Sequence, residues 1–235
     1  MPAASRTEIT DNMPAACLTF FVPPNDGSDT TNRELLSRIR RTGKFDRSGT
    51  TFVTTEPNDM YRRGGQFPVF HVEESPAALR PLLGDGPGQP RLLPPGLIDD
   101  RTITQQGLFR QVHKFEFDDV SPESGETACI LMAFKSMQQQ HDPELITHWK
   151  TWTGARGLLV DFGTDVAPRS AAFYVRQRPE RGDQFMYVVL IHVHVTEDTW
   201  CIVRHLVQRF RVERQFGYIS VYKEHRLGRP KSGAR

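Results

Sequence analysis

The sequence predicts an α+β chain in which a single arrangement of strands and helices is written twice. Three observations carry this. Apolar segments with strand alternation recur in matched pairs, and amphipathic segments with helical spacing fall between them. Short shared phrases also hold corresponding places in the two halves. The order in each half is strand, helix, strand, strand, helix, strand, which is the split βαβ or ferredoxin-like order. The halves are expected at 1–118 and 127–235, joined by a polar, turn-rich linker at 119–126.

The first strand of each half contains Ala-Cys-aliphatic, in "AACLTFFVPP" (15–24) and in "TACILMAFKS" (127–136). The helices that follow, "RELLSRIRRTG" (33–43) and "PELITHWKTWTG" (143–154), both close in Thr-Gly. A strand pair comes next, "FVTTEPNDMYRRGGQFPVFHVEES" (52–75) against "FYVRQRPERGDQFMYVVLIHVHVTED" (173–198), sharing Arg-Gly-x-Gln-Phe and a closing His-Val. Their glycines lie between two strands, as in a hairpin turn, and not before a helix as in a phosphate loop. The second helices are "SPAALRPLL" (75–83) and "EDTWCIVRHLVQRF" (197–210). Ser75 and Pro76 suit the first helix's start, and Pro81 should keep it short. The closing strands pair "LFRQVHKFEF" (108–117) with "YISVYKEHR" (218–226). The second half carries "ARGLLVDFGTDVAPR" (155–169) as an insertion.

Strand alternation separates the faces of the second half. Val189, Ile191, Val193 and Val195 share one side, opposite Val188, Leu190, His192 and His194. The all-aliphatic side suits the helix stripe Trp200, Val203, Leu206, Val207 and Phe210, which leaves the histidines on the face without helices. In the last strand Ile219 and Val221 go toward the helices, while Tyr218, Ser220, Tyr222 and Glu224 go with the histidines. In the first half, alternation sets Phe109, Gln111, His113, Phe115 and Phe117 on one side. His71, opposite Phe70 and Val72, corresponds to His194. A face of this mixed character reads as the wall of a ligand pocket.

Composition excludes several functions. With 37% apolar and 25% charged residues and a net charge of +2, the chain is neither a disordered nor a strongly basic, nucleic-acid-binding sequence. No apolar run reaches the roughly 18 residues needed to span a bilayer, and the polar N-terminus has no signal-peptide character. Three cysteines, Cys17, Cys129 and Cys201, all in apolar segments, point to buried thiols in a reducing cytoplasm and not to a disulfide framework. Same-face His-x-His can bind a metal, with Glu224, His71 or His113 as third ligand, but an ordinary pocket histidine is commoner, and no metal is expected.

Two ferredoxin-like halves of this kind resemble the dimeric α+β barrel superfamily in its single-chain tandem form. "ELITHWKTWTGARG" (144–157) is similar to the aromatic-and-histidine helix of EthD-type members, although the later histidine of that helix is absent after Trp152. The resemblance implies two halves pairing their sheets as an intramolecular barrel. It also implies an enzyme acting on a small, largely apolar, polyketide-like carbonyl substrate of secondary metabolism.

The expected chemistry is cofactor-independent cyclisation, isomerisation or dehydration started by proton transfer. His194 or His192 would act as base, His71 and His113 as counterparts, Tyr222 as the group polarising oxygen, and Glu224 as an orienting carboxylate. Tyr218, Ser220, Leu190, Phe109 and Gln111 would line the substrate site. Trp149 and Trp152 either join that lining or pack in the core. The alternatives are a cofactor-free or haem-dependent monooxygenase- or peroxidase-like enzyme, and a binding module without turnover. A homodimer is left open.

Overall fold

A computed structural model describes residues 16–23, 32–45, 49–55, 66–83, 96–117, 125–136, 140–177, 185–214 and 216–225. The elements of the first half are β1 (Ala16–Val22), α1 (Asn32–Arg41), β2 (Thr50–Thr54), β3 (Val69–Glu73), α2 (Pro76–Leu83) and β4 (Ile103–Glu116). The second half begins with β5 (Glu126–Lys135), α3 (Pro143–Thr147), α4 (Trp149–Trp152) and α5 (Ala155–Asp161). It continues with β6 (Ala167–Arg176), β7 (Phe185–Val195), α6 (Glu197–Arg214) and β8 (Tyr218–His225). Most of the expected linker and of the two glycine-containing turns lies outside the described residues.

The strands follow one another in the order β1-β3-β2-β8-β5-β7-β6-β4 and close, an antiparallel α+β barrel built from two ferredoxin-like halves. The chain divides into two compact units, one centred on Ala16–Leu108 and the other on Phe109–Lys223.

In the 109–223 unit, β5 lies between β7 and β8, and β6 lies on the far side of β7. Val189, Ile191, Val193 and Val195 of β7 pack in one cluster with Val203, Leu206, Val207 and Phe210 of α6. Each such side chain removed from water contributes roughly 1.5–3 kcal/mol, so this stripe fixes which way β7 faces. A one-residue slip would turn all four valine and isoleucine side chains outward and bring the histidines under the helix. Ile219 and Val221 join the same cluster from β8.

The helix expected at 143–154 is instead two short helices, α3 and α4, meeting at His148. Asp142 caps α3 by accepting hydrogen bonds from the Glu144 and Leu145 backbone N–H groups. At the other end of α3 the Thr147 hydroxyl donates to the Pro143 carbonyl at 2.8 Å, an alternative to continued helical bonding. His148 leaves the helical region with φ −102° and ψ 21°. The chain then turns at Gly154 (φ 78°), where a Cβ would also strike the Phe210 ring, and enters α5. The insertion thus supplies α5 and the first residues of β6.

In the 16–108 unit, Leu35 and Ile39 of α1 pack on Phe21, Phe45 and Val69, and Leu79 of α2 packs on Cys17 and Leu108. Pro81 lies inside α2, where it forgoes a backbone hydrogen bond, and the helix ends after eight residues. The opposite face of this sheet is aromatic. Phe70 stacks on Phe52 (4.7 Å, 15°) and Phe20 (5.9 Å, 25°), and Phe67 tilts against Phe20 at 5.3 Å.

Two assignments of strand face are corrected here. His71 shares its face with Val69, which packs on α1, so it points to the helix side and not to the helix-free side. Its Nδ1 is 2.9 Å from the Thr51 hydroxyl, and Phe45 meets its ring edge-on at 5.1 Å. The second correction concerns His113. A β-bulge between Gln111 and His113 interrupts the alternation of β4. Phe109 and Gln111 pair with Arg176 and Tyr174, whereas His113 and Phe115 pair with Phe173 and Ala171, which belong to the helix-side core. One extra residue, Val112, reverses the face of everything after it.

Candidate functional site

The face of the 109–223 unit turned away from its helices is organised in lateral rows. Directly paired residues of neighbouring antiparallel strands put their side chains on the same face, so the register gives the rows. Ser170 of β6 pairs with His192 of β7, His192 with Cys129 of β5, and Cys129 with Tyr222 of β8. The next row is Ala172, Leu190, Leu131 and Ser220, and the one after it Tyr174, Val188, Ala133 and Tyr218. The middle of the strip is therefore apolar, with hydroxyl, thiol and imidazole groups around it.

Tyr218 and Tyr222 lean toward each other over the fully buried Ser220, and their hydroxyls hydrogen-bond at 2.9 Å. Tyr222 is 0% exposed and Tyr218 8%, so both phenols are buried and the little surface the pair keeps is that of Tyr218. At the other end of β6, the buried Arg176 donates from Nε to the Phe185 carbonyl at 2.8 Å. Its guanidinium lies 5.1 Å above the Phe109 ring.

His192 is largely buried among these groups. Burial first, and then the positive charges of Lys114 and Arg169, push its imidazole from the ordinary 6.5 down to about 4. It is neutral at neutral pH, and its surroundings oppose its protonation. His194 lies one pleat further along, paired with Thr127. The backbone at Gly125 sits against its ring so closely that a Cβ there would collide with Nε2 and Cε1.

The unit thus brings together His192, His194, Tyr222, Tyr218, Ser220, Leu190, Phe109 and Gln111 on one face, as the sequence leads one to expect. Other expected members are elsewhere. His71 belongs to the 16–108 unit and is 3% exposed on its helix side. His113 stacks at 6.3 Å on Trp149, on the helix side of its own unit. Glu224 follows Lys223, the last β8 residue with a β5 partner, and counts with the 16–108 unit.

Trp149 is a core residue, 2% exposed and stacked flat on Phe173 at 5.0 Å. Trp152 packs edge-on against Phe134 and Tyr187, with its indole N–H donating to the Leu145 carbonyl. Neither reaches the helix-free face. Cys17 and Cys129 are buried, but Cys201 is exposed and its thiol donates to the Asp198 carbonyl at 3.1 Å.

Arg176 and Cys129 escape a reading of the sequence alone. Arg176 stands where an apolar run meets the next turn, and Cys129 looks like plain strand filling until the register sets it between His192 and Tyr222. Among the described residues, no three His, Cys, Asp or Glu side chains gather as a metal site would require. No helix among them is long and apolar enough to cross a membrane.

Several solved structures are similar to this chain. An anthrone oxidase-like protein superimposes with a TM-score of 0.50 at 12% identity, covering 92% of this chain and 95% of its own. A chlorite dismutase from Candidatus Nitrospira defluvii gives 0.38 at 9% identity, covering 91% and 92%. A monooxygenase-like protein from Lactobacillus acidophilus NCFM gives 0.40 at 6% identity, covering 91% and 94%. At these identities the likeness is one of fold alone, and a fold does not fix a function. No curated protein matches the sequence. Residues 49–224 match the family described as "Domain of unknown function (DUF7153)", and because the match spans most of the chain, the protein belongs to that family.

Proposed function

We propose that the protein is a cofactor-independent enzyme that moves a proton at a carbon activated by a conjugated carbonyl, in a small, largely apolar, polyketide-like substrate. The observation that carries this reading is the row holding neutral His192 and buried Tyr222 on one face with Cys129 between them. His192 would take the proton from carbon, and the electron pair would move onto the carbonyl oxygen. The Tyr218–Tyr222 pair would hold that oxygen, Tyr218 meeting it and Tyr222 fixing the direction of the Tyr218 hydroxyl. Return of the proton at another carbon isomerises the substrate, while attack of the enolate carbon on a second carbonyl, followed by loss of water, closes a ring.

His192 and Tyr222 stand two strand spacings apart, roughly 10 Å at the backbone, and Tyr218 lies further along β8. That separation suits a fused-ring skeleton in which the acidic carbon and the carbonyl are joined through a conjugated ring. Anthrone, which the name of one structural neighbour contains, is a carbon acid of this kind. The same carbanion could be passed to dioxygen, which is the second, oxidative reading. A haem on this face would find His192 or His194 as an imidazole ligand among the described residues, since His71 and His113 turn to the helix sides. Three cysteines outside any disulfide support a reducing, cytoplasmic setting.

Deuterium exchange into the methylene of anthrone, followed by NMR, tests the reading. The wild-type chain is expected to accelerate exchange over buffer, and His192→Gln to lose about 100-fold or more of that acceleration. Tyr218→Phe is expected to lose about tenfold. Exchange at the buffer rate with wild-type protein, or undiminished in His192→Gln, would refute it.

A further inference from the structure

The helix-free face of the 109–223 unit continues past the histidine row, and its far end is basic. Lys114 pairs with Ala172, which pairs with Leu190, so its side chain shares the face of His192. Glu116 pairs with Ser170, the neighbour of His192. Arg169 lies in a register shift of β6, between Pro168 and Ser170. Its guanidinium reaches the Thr127 hydroxyl at 3.3 Å, and Thr127 is the β5 partner of His194. Two cations from two strands therefore flank the imidazole pair on its own face.

We infer that this end of the face is a carboxylate site, and that the protein takes a fused-ring substrate bearing one carboxylate. The inference rests on the reading that this face binds such a skeleton. Lys114 and Glu116 form a 2.8 Å ion pair with both side chains well exposed, an arrangement that contributes little and exchanges readily. Their charges offset each other, which leaves about one positive charge, that of Arg169, to match a monoanion. A planar carboxylate fits the fork of a guanidinium, whose partner here is a neutral hydroxyl and not an acid. The neighbouring row, with Leu190 and Leu131, is apolar.

The test is calorimetric titration of the full chain with 2-naphthoate and 2-naphthamide, which share shape but not charge. The acid should bind about tenfold more tightly than the amide at low salt, with the ratio shrinking as salt is added. In Arg169→Gln the ratio should fall to about one while the amide's affinity is unchanged. Phenyl phosphate, run alongside, should bind more weakly than the naphthoate. Equal affinities for acid and amide, a preference that survives in an Arg169→Gln, Lys114→Gln double variant, binding of neither, or tighter binding of phenyl phosphate would overturn the inference. An acid preference without anthrone exchange would instead sink only the proton-transfer reading.

Discussion

His192 owes its behaviour to a conflict between pattern and burial. Alternation places an imidazole on the face opposite four aliphatic side chains, and burial there together with Lys114 and Arg169 opposes protonation. The sign of the pH effect follows. Above about pH 6.5 the ring is neutral in both folded and unfolded chains and contributes nothing. As pH falls from 6.5 toward about 4, the unfolded chain takes up the proton and the folded one does not, so stability is lost across that window. At about 1.4 kcal/mol for each pKa unit, the loss from this residue is on the order of 3 kcal/mol. Urea denaturation at both ends of the window should show a drop in the wild type that His192→Gln reduces by about that amount. The identity of this residue was legible in the sequence; its depressed pKa was not, because Lys114 and Arg169 come from strands whose register no single sequence states.

Among the elements, β7 and α6 were the most legible, since an eleven-residue strand and an eighteen-residue helix give long, repeated patterns. β4 was misread from residue 112 onward, because a bulge leaves no composition signal and yet reverses every later side chain. β3 was misread for a different reason. At five residues, with four of them buried, it has too little alternation to distinguish a histidine among helices from one among phenylalanines.

These corrections separate two variants. Trp149→Ala should lower stability by about 3–5 kcal/mol, read as a shifted urea midpoint, because it empties the stack on Phe173. His113→Ala, at an exposed position turned away from the working face, should leave anthrone exchange within about twofold of wild type. A large loss of exchange in His113→Ala at unchanged stability would show the face assignment of β4 to be mistaken.

For the whole molecule, the duplicated order was readable because both halves keep the same succession of strands and helices, and the closed barrel agrees with it. The halves differ in what they place on their helix-free faces, and that difference lay beyond the reach of the repeat. One presents Phe20, Phe52, Phe67 and Phe70, packed ring on ring, and the other presents imidazole, thiol and phenol groups. A shared order of elements therefore does not make the two faces equivalent in chemistry.

On the proposed function, substrate meets the His192 face of the 109–223 unit. It is tested most directly by following the histidine ring signals by NMR as a fused-ring ketone such as anthrone is added to the full chain. The His192 signals are expected to move saturably, with those of His194 following, while His71, enclosed by Thr51 and Phe45, stays where it is. Movement of His71 with His192 unchanged would contradict it.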